Sequence, residues 1–112
     1  MLIAEDAQGG LVGTAQLIVG MPENQPHRAD VAKMLVHRKA RRQGLAQRLL
    51  AAVEEAARAA EKTVLVLDTA TGSDAERLYQ RAGWQRVGMV PDYALMPDGA
   101  MCGTTFFYKR VR

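Results

Sequence analysis

The 112 residues predict a single domain, residues 1–112, of α/β (α+β) class with a mixed, mostly antiparallel sheet. Three observations support this prediction. Apolar or small residues alternate with others from Leu11 to Val19, which is the period of a strand. From Leu45, apolar residues recur at helical spacing, and Thr63–Leu67 is then a short apolar run typical of a buried strand. The predicted order of elements is β-β-β-α-β-α-β-β.

The first three elements are strands. Leu2–Glu5 and Leu11–Val19 form a predicted hairpin, because the residues between them, 6–10, favour a turn. Residues 20–27 contain two prolines and predict a loop. Ala29–Val36 is the third strand, since the valines and leucine in it favour extended structure.

The first helix follows a basic loop and begins at Leu45. Its many alanines favour helix, and its apolar positions share one face that we expect to be buried. That face consists of Leu45, Leu49, Val53, Ala56 and Ala60. The helix ends at Lys62, and the fourth strand, Thr63–Leu67, completes a β-α-β unit.

The second helix is indicated by signals at both of its ends. Ser73 and Glu76 match the S-x-x-E pattern of a capping box, and Gly83 stands where a glycine commonly follows a helix. Trp84–Val90 and Thr104–Lys109 are the last two strands. Residues 91–103 contain two prolines and two glycines, and they predict a loop.

Composition disfavours several classes of protein. The one cysteine, Cys102, permits no intrachain disulfide and suits a reducing cytoplasm. The sequence contains no apolar run long enough for a membrane span, no leader pattern at its start and no spacing typical of a metal site. The basic cluster of Arg38, Lys39, Arg41 and Arg42 favours an anionic partner, but no aromatic residue lies within it, which disfavours nucleic acid. We therefore expect a cytoplasmic protein without a membrane, metal or nucleic-acid partner.

The segment Arg41-Arg42-Gln43-Gly44-Leu45-Ala46 joins a strand to a helix and predicts a phosphate site. The first N–H groups of a helix are unpaired, and the helix dipole adds positive potential there. Gly44 permits close approach of a ligand, Ala46 is small, and Arg41 and Arg42 can donate charge-assisted hydrogen bonds. A plain solvated helix N-terminus is the alternative.

Two motifs now carry a resemblance to a known family. Arg41-x-x-Gly44-x-Ala46 resembles the Q/R-x-x-G-x-G/A loop of GCN5-related N-acetyltransferases, the GNAT family. Asp74–Trp84 is similar to the A-x-x-L-Y-x-x-x-G-F segment of that family. Further stretches, among them Ala29–Lys33 and Val87–Pro91, resemble its tabtoxin-resistance branch. The resemblance implies an acyl-CoA N-acyltransferase fold, acetyl-CoA as co-substrate and acetyl transfer to the amine of a small molecule, with an amino-acid-type toxin or antibiotic as one candidate.

The resemblance also implies which residues bind coenzyme A. The strand residues Met34, Leu35 and Val36 pair with the pantetheine arm, and an N–H near Leu35 or Val36 stabilises the oxyanion. The hydroxyls of Thr69 and Ser73 contact pantetheine or substrate. The loop that surrounds the pyrophosphate consists of Arg41, Arg42, Gln43, Gly44, Leu45 and Ala46.

Three residues are candidates for the chemistry. By resemblance, Tyr79 is the acid beside the thiol of coenzyme A, the alternative being a half-buried helix tyrosine that packs on the sheet. Asp30 and Asp68 are candidate bases, because each carboxylate lies in or ends an apolar strand, where burial without a partner is unfavourable. For each aspartate, the alternative role is a salt bridge to Lys33 or to an arginine. A water relay could also replace either aspartate as the base.

The sequence departs from the family at its start. The first strand and two helices of the family, which usually form one wall of the amine site, have no counterpart, so we expect an N-terminally truncated version of the fold. An exposed sheet edge would remain, and we expect a homodimer to cover it. A non-catalytic CoA-binding module is the alternative function.

Overall fold

The computed structural model describes residues 2–5, 11–36 and 44–112. Within these residues, eight elements occur in the predicted order: β1 (Leu2–Glu5), β2 (Leu11–Ile18), β3 (Arg28–Val36), α1 (Leu45–Ala59), β4 (Val64–Ala70), α2 (Asp74–Arg81), β5 (Gln85–Leu95) and β6 (Met101–Arg110). The chain divides into two compact units, one of residues 1–65 with 110–112 and the other of residues 66–109. The single domain over residues 1–112 stays a prediction.

The first unit contains three antiparallel strands in the order β1-β2-β3 and helix α1. Helix α1 packs chiefly on β2. The buried apolar side chains described in the helix are Leu49, Leu50, Val53 and Ala57, so the buried face differs from the predicted one. Ala60 is exposed because it follows the last helical residue, and Ala56 is only partly buried.

A buried lysine joins the end of α1 to the loop between β2 and β3. Lys62 is 8% exposed, and its Nζ donates to the carbonyl oxygens of Val19 at 3.2 Å and Pro26 at 2.8 Å. The backbone N–H of Thr63 donates to the carbonyl of His27 at 2.8 Å. These bonds compensate the ammonium for the water that it loses on burial.

The second unit contains strands in the order β4-β6-β5 and helix α2. The predicted cap is confirmed, since the Ser73 hydroxyl accepts from the N–H of Glu76 at 3.3 Å. The Glu76 carboxylate accepts from the N–H of Gly72 at 2.6 Å, one residue before the position that a reciprocal capping box uses. Gly83 follows the helix at φ 89°, as predicted, because a left-handed residue commonly ends a helix.

The prediction of a loop over residues 91–103 is wrong for most of its length. Strand β5 continues to Leu95 and β6 begins at Met101, which leaves a short turn closed by the N–H of Met96 donating to the carbonyl of Ala100 at 2.8 Å. Pro91 is tolerated because β5 is the last strand in the sheet order, where a missing N–H removes no necessary ladder bond. The register shifts between Val90 and Ala94, and a bulge absorbs the irregular residues.

Neither α1 nor α2, the two helices in the part of the chain that is described, has the length and apolar content of a membrane span.

Substitution Leu50→Ala should lower the free energy of unfolding by about 2–5 kcal/mol, because Leu50 is 1% exposed and its loss leaves a cavity under α1. Urea unfolding followed by circular dichroism measures the change. The exposed substitution Gln47→Ala on the same helix is the control and should stay within about 0.5 kcal/mol of the parent. Equal effects of the two would contradict the packing described for α1.

Candidate active site

The anion site predicted at the start of α1 includes Gly44, which the structure describes. Gly44 is the N-cap at φ 71° and ψ 11°, a left-handed conformation that favours glycine. The first turn of α1, which includes Leu45 and Ala46, contains no acidic residue, and a Cβ added at Gly44 would have no neighbour within 4 Å. No side chain of the first turn therefore places a negative charge at the N-terminus of α1. Arg41, Arg42 and Gln43 lie outside the described residues.

The strand predicted to pair with pantetheine exists as the end of β3. Leu35 pairs with Thr14, and Val36 pairs with Gly13, in the antiparallel register with β2. Met34 lies in the same strand. The side chains of these three residues, like that of Leu45, lie outside what the structure describes.

Asp30 is held by an ion pair. Its carboxylate bonds Nη1 of Arg28, and Nε of the same arginine donates to Oε1 of Gln25 at 2.5 Å. The Asp30 side chain is 37% exposed, so the pair lies at the surface of the first unit. Of the alternatives raised by the sequence, the structure contains the salt bridge, and its partner is Arg28.

Asp68, Thr69, Ser73 and Tyr79 all lie in the second unit. The Asp68 side chain is exposed, so the burial expected of it is not observed; Leu65 and Leu67 are buried instead, as strand alternation requires. The hydroxyls of Thr69 and Ser73 are 3.4 Å apart. Ser73 therefore serves as a helix cap and a neighbour of Thr69 at once.

Sequence reasoning missed Thr104, which orients Asp68. Thr104 is 5% exposed in β6, and its hydroxyl donates to Oδ2 of Asp68 at 2.7 Å and lies 3.0 Å from the carbonyl oxygen of Thr69. A hydroxyl has one proton, so the two acceptors share it. The only sequence signal was a pair of threonines in an aromatic strand, which does not reveal what they face.

Tyr79 is almost completely buried, more so than the half-buried tyrosine that was the alternative. Its ring packs at tilted angles on Trp84, with centroids 5.9 Å apart, and on Phe107, with centroids 5.8 Å apart. Burial, and secondarily the negative charge of Asp68, raise the pKa of Tyr79 to about 12. The phenol therefore keeps its proton throughout the neutral range, and the carboxylate of Asp68 is near enough to influence it.

No three His, Cys, Asp or Glu side chains within residues 2–5, 11–36 and 44–112 are grouped in a way that would hold a metal ion.

A family model described as "Acetyltransferase (GNAT) domain" matches residues 1–86, which include Gly44, Asp68 and Tyr79. The chain belongs to the GNAT family. Acetyl-CoA is the co-substrate of GNAT proteins, as the resemblance implied, and at the level of the family the prediction of an N-acetyltransferase is confirmed.

Solved structures share the GNAT fold. A candidate phosphinothricin N-acetyltransferase is 19% identical with a TM-score of 0.84, over 98% of this chain and 70% of its own. The candidate acetyltransferase yncA from Salmonella typhimurium, solved with its cofactor acetyl-CoA, is 20% identical with a TM-score of 0.83, over 96% of this chain and 62% of its own. A ribosomal-protein-alanine N-acetyltransferase from Brucella melitensis is 26% identical with a TM-score of 0.82, over 96% of this chain and 66% of its own. The predicted fold class is confirmed, and the chain spans less than two thirds of the length of the last two.

The raised pKa of Tyr79 predicts a loss of stability in alkali. An unfolded phenol titrates near pH 10 and the folded one near 12, so stability is intact below pH 10 and falls as pH rises toward 12, where only the unfolded state releases the proton. The loss should reach about 2–3 kcal/mol. Urea unfolding at intervals between pH 8 and pH 12 measures it.

Tyr79→Phe should lack this alkaline loss, and Tyr93→Phe, at a half-exposed position, should keep it. Parallel pH curves for the wild type and Tyr79→Phe would show that burial does not perturb this phenol.

Proposed function

We propose that this chain transfers an acetyl group from acetyl-CoA to the amine of a small molecule. The observation that carries the proposal is Tyr79, a buried phenol that retains its proton at neutral pH and lies near the exposed carboxylate of Asp68. Both residues fall within the part of the chain that the GNAT model matches.

The co-substrate would bind through its phosphates at the N-terminus of α1. Gly44 opens the approach to the first N–H groups of the helix, which Leu45 and Ala46 contribute, and no acid of the first turn opposes an anion. Arg41, Arg42 and Gln43 precede this junction in sequence and supply cationic and amide donors. Met34–Val36 at the end of β3 would bind the pantetheine arm and supply the N–H for the oxyanion.

The chemistry requires two proton movements. The amine nitrogen bonds the acetyl carbon and loses a proton, the carbon–sulfur bond breaks, and the sulfur leaves as a thiolate that then takes a proton from water. Asp68, directly or through water, accepts a proton from the nitrogen. Tyr79 donates a hydrogen bond to the leaving sulfur; because a thiol titrates near 8.5, far below Tyr79, the phenol stabilises the thiolate and remains protonated.

Asp68 suits the role of base better than Asp30 does. One oxygen of Asp68 accepts from Thr104, and the side chain is exposed to an incoming amine. One oxygen of the Asp30 carboxylate already accepts a charge-assisted hydrogen bond from Nη1 of Arg28. A water relay is the remaining alternative.

We propose an amino-acid-type toxin or antibiotic as the substrate. We also propose that the protein acts in the cytoplasm and that it does so as a homodimer. The motif resemblance supports the substrate, and so does the fold shared with a candidate phosphinothricin N-acetyltransferase. The similar Brucella melitensis structure is named for acetylation of a ribosomal-protein alanine, so a peptide amine belongs in the same substrate screen. The single cysteine supports the reducing compartment.

Acetyl-CoA binding tests the proposed cofactor site. Calorimetric titration should give micromolar affinity for the wild type. Gly44→Asp should bind about 10-fold more weakly than Gly44→Asn, because the two side chains have the same shape and only the first places a negative charge at the helix N-terminus. Asparagine and aspartate both tolerate the left-handed backbone of Gly44.

Equal affinities for the Asp and Asn variants would place the phosphates elsewhere. No binding by folded wild type would overturn the cofactor proposal, and binding without turnover of any amine would favour the non-catalytic CoA-binding module.

Thiol release tests the role of Tyr79. With a panel of amino acids, toxin-like amines and peptides as acceptors, Tyr79→Phe should lower kcat by about 100-fold and leave the affinity for acetyl-CoA unchanged, because only the donor to sulfur is removed. Tyr93→Phe is the matched control and should retain the wild-type kcat. An unchanged kcat in Tyr79→Phe would remove this residue from the mechanism.

A further inference from the structure

Strand β6 contains two adjacent threonines that are almost completely buried. Thr104 is 5% exposed, and Thr105 is fully buried. Because successive side chains of a strand point to opposite faces, the two hydroxyls lie on opposite faces of the sheet. A buried hydroxyl has little water to bond, so each of the two needs partners within the protein. The partners of each hydroxyl therefore indicate what each threonine does.

The hydroxyl of Thr105 holds β6 against the turn that follows β4. It lies 3.0 Å from the hydroxyl of Thr71, and the backbone N–H of Thr71 donates to the carbonyl of Gly103 at 3.0 Å. The approach is close, since a Cβ added at Gly103 would lie 3.2 Å from Oγ1 of Thr71. Residues on both sides of Thr104 are thus held by this turn, and the position of Thr104 is fixed with them.

The hydroxyl of Thr104 lies within bonding distance of two acceptors that differ in charge. Oδ2 of Asp68 is 2.7 Å away, and the carbonyl oxygen of Thr69 is 3.0 Å away. A carboxylate is the stronger acceptor because it is charged, so the one proton of the hydroxyl goes chiefly to Asp68 while that group is ionised. When the carboxyl group is neutral it loses this advantage, and the carbonyl of Thr69 can take the bond. The hydroxyl is therefore satisfied in both states of Asp68.

The bond to Thr104 makes the two oxygens of Asp68 different. Oδ2 is occupied by the hydroxyl, whereas Oδ1 has no hydrogen-bond or ion-pair partner in the part of the chain that the structure describes. The side chain is exposed, so Oδ1 is open to an incoming amine. An unattached exposed side chain samples several rotamers, but a base must lie within hydrogen-bond reach of the proton that it accepts. A fixed hydroxyl on one oxygen therefore orients the other.

We propose that Thr104 is a positioning residue for the base of the acetyl transfer and that it gives the two oxygens of Asp68 different tasks. Its hydroxyl holds Oδ2, and Oδ1 accepts the proton that the amine nitrogen loses on bonding the acetyl carbon. The proton of Thr104 stays on its own oxygen, and its hydrogen bond passes from the neutral carboxyl group to the carbonyl of Thr69. This role rests on the proposed function, because it concerns the base of that reaction.

Steady-state kinetics of three variants test this role. Thr104→Val keeps the shape of the side chain and removes the hydroxyl, so kcat should fall about 10-fold while KM for acetyl-CoA stays unchanged. Thr104→Ser restores the hydroxyl and should stay within about 3-fold of the wild-type kcat. Thr105→Val is the matched control, because it removes a buried hydroxyl of the same strand that bonds Thr71 instead, and it should retain the wild-type kcat.

A double-mutant cycle separates action through Asp68 from any other effect of the threonine. In the Asp68→Asn background no carboxylate remains to be oriented, so Thr104→Val should lower kcat by less than about 2-fold there. A loss of the same factor in both backgrounds would overturn the proposal. So would a wild-type kcat in Thr104→Val, or a Thr104→Ser variant as slow as Thr104→Val.

The orientation of Asp68 is measured without turnover by the three-bond NMR couplings of its side chain, which report its χ1 rotamer. The wild type and Thr104→Ser should show one rotamer, and Thr104→Val should show averaging among several. Couplings that are equal in the wild type and Thr104→Val would overturn the proposal whether or not the protein transfers acetyl groups. A rotamer that depends on Thr104 in a protein without turnover of any amine would instead overturn the proposed function, and the orientation of Asp68 by Thr104 would stand.

Discussion

Helix α2 is held on strand β6 by three aromatic side chains that are almost out of contact with water. Phe107 is fully buried, and Tyr79 packs on both it and Trp84. The backbone N–H of Trp84 donates to the carbonyl of Tyr79 at 3.0 Å, and this hydrogen bond holds the residues that follow α2 against the helix. Because this contact determines where the helix lies, it also determines where the phenol of Tyr79 lies, and the arrangement of the second unit depends on it.

The same burial that holds the helix sets the acidity of the phenol. Removal of water disfavours the phenolate, and the carboxylate of Asp68 disfavours it further. A group that keeps its proton so firmly suits hydrogen bonding to a thiolate better than complete proton transfer, since the phenol titrates far above a thiol. The buried hydroxyl of Thr104 donates to the carboxylate of Asp68, and the charge of this carboxylate acts on the phenol of Tyr79.

The sequence was most informative where structure depends on neighbouring residues. The cap at Ser73, the glycine at position 83 that ends α2 and the order of the elements follow from local chemistry and were predicted. The strand over 91–95 was missed because proline is excluded from central strands, and the position of β5 at an edge is a property of the whole sheet. For the same reason the exposure of Asp68, its contact with Thr104 and the pairing of Asp30 with Arg28 could not be predicted, since each depends on residues that the fold brings together.

Strand β6 links the phenol to the exposed hairpin. Successive side chains of a strand point to opposite faces, so Phe107 packs on Tyr79 while Phe106 meets Tyr93. One strand therefore holds both the ring that packs on the phenol of Tyr79 and the ring that meets β5. The positions of Tyr79 and Tyr93 in this sense depend on the two faces of β6.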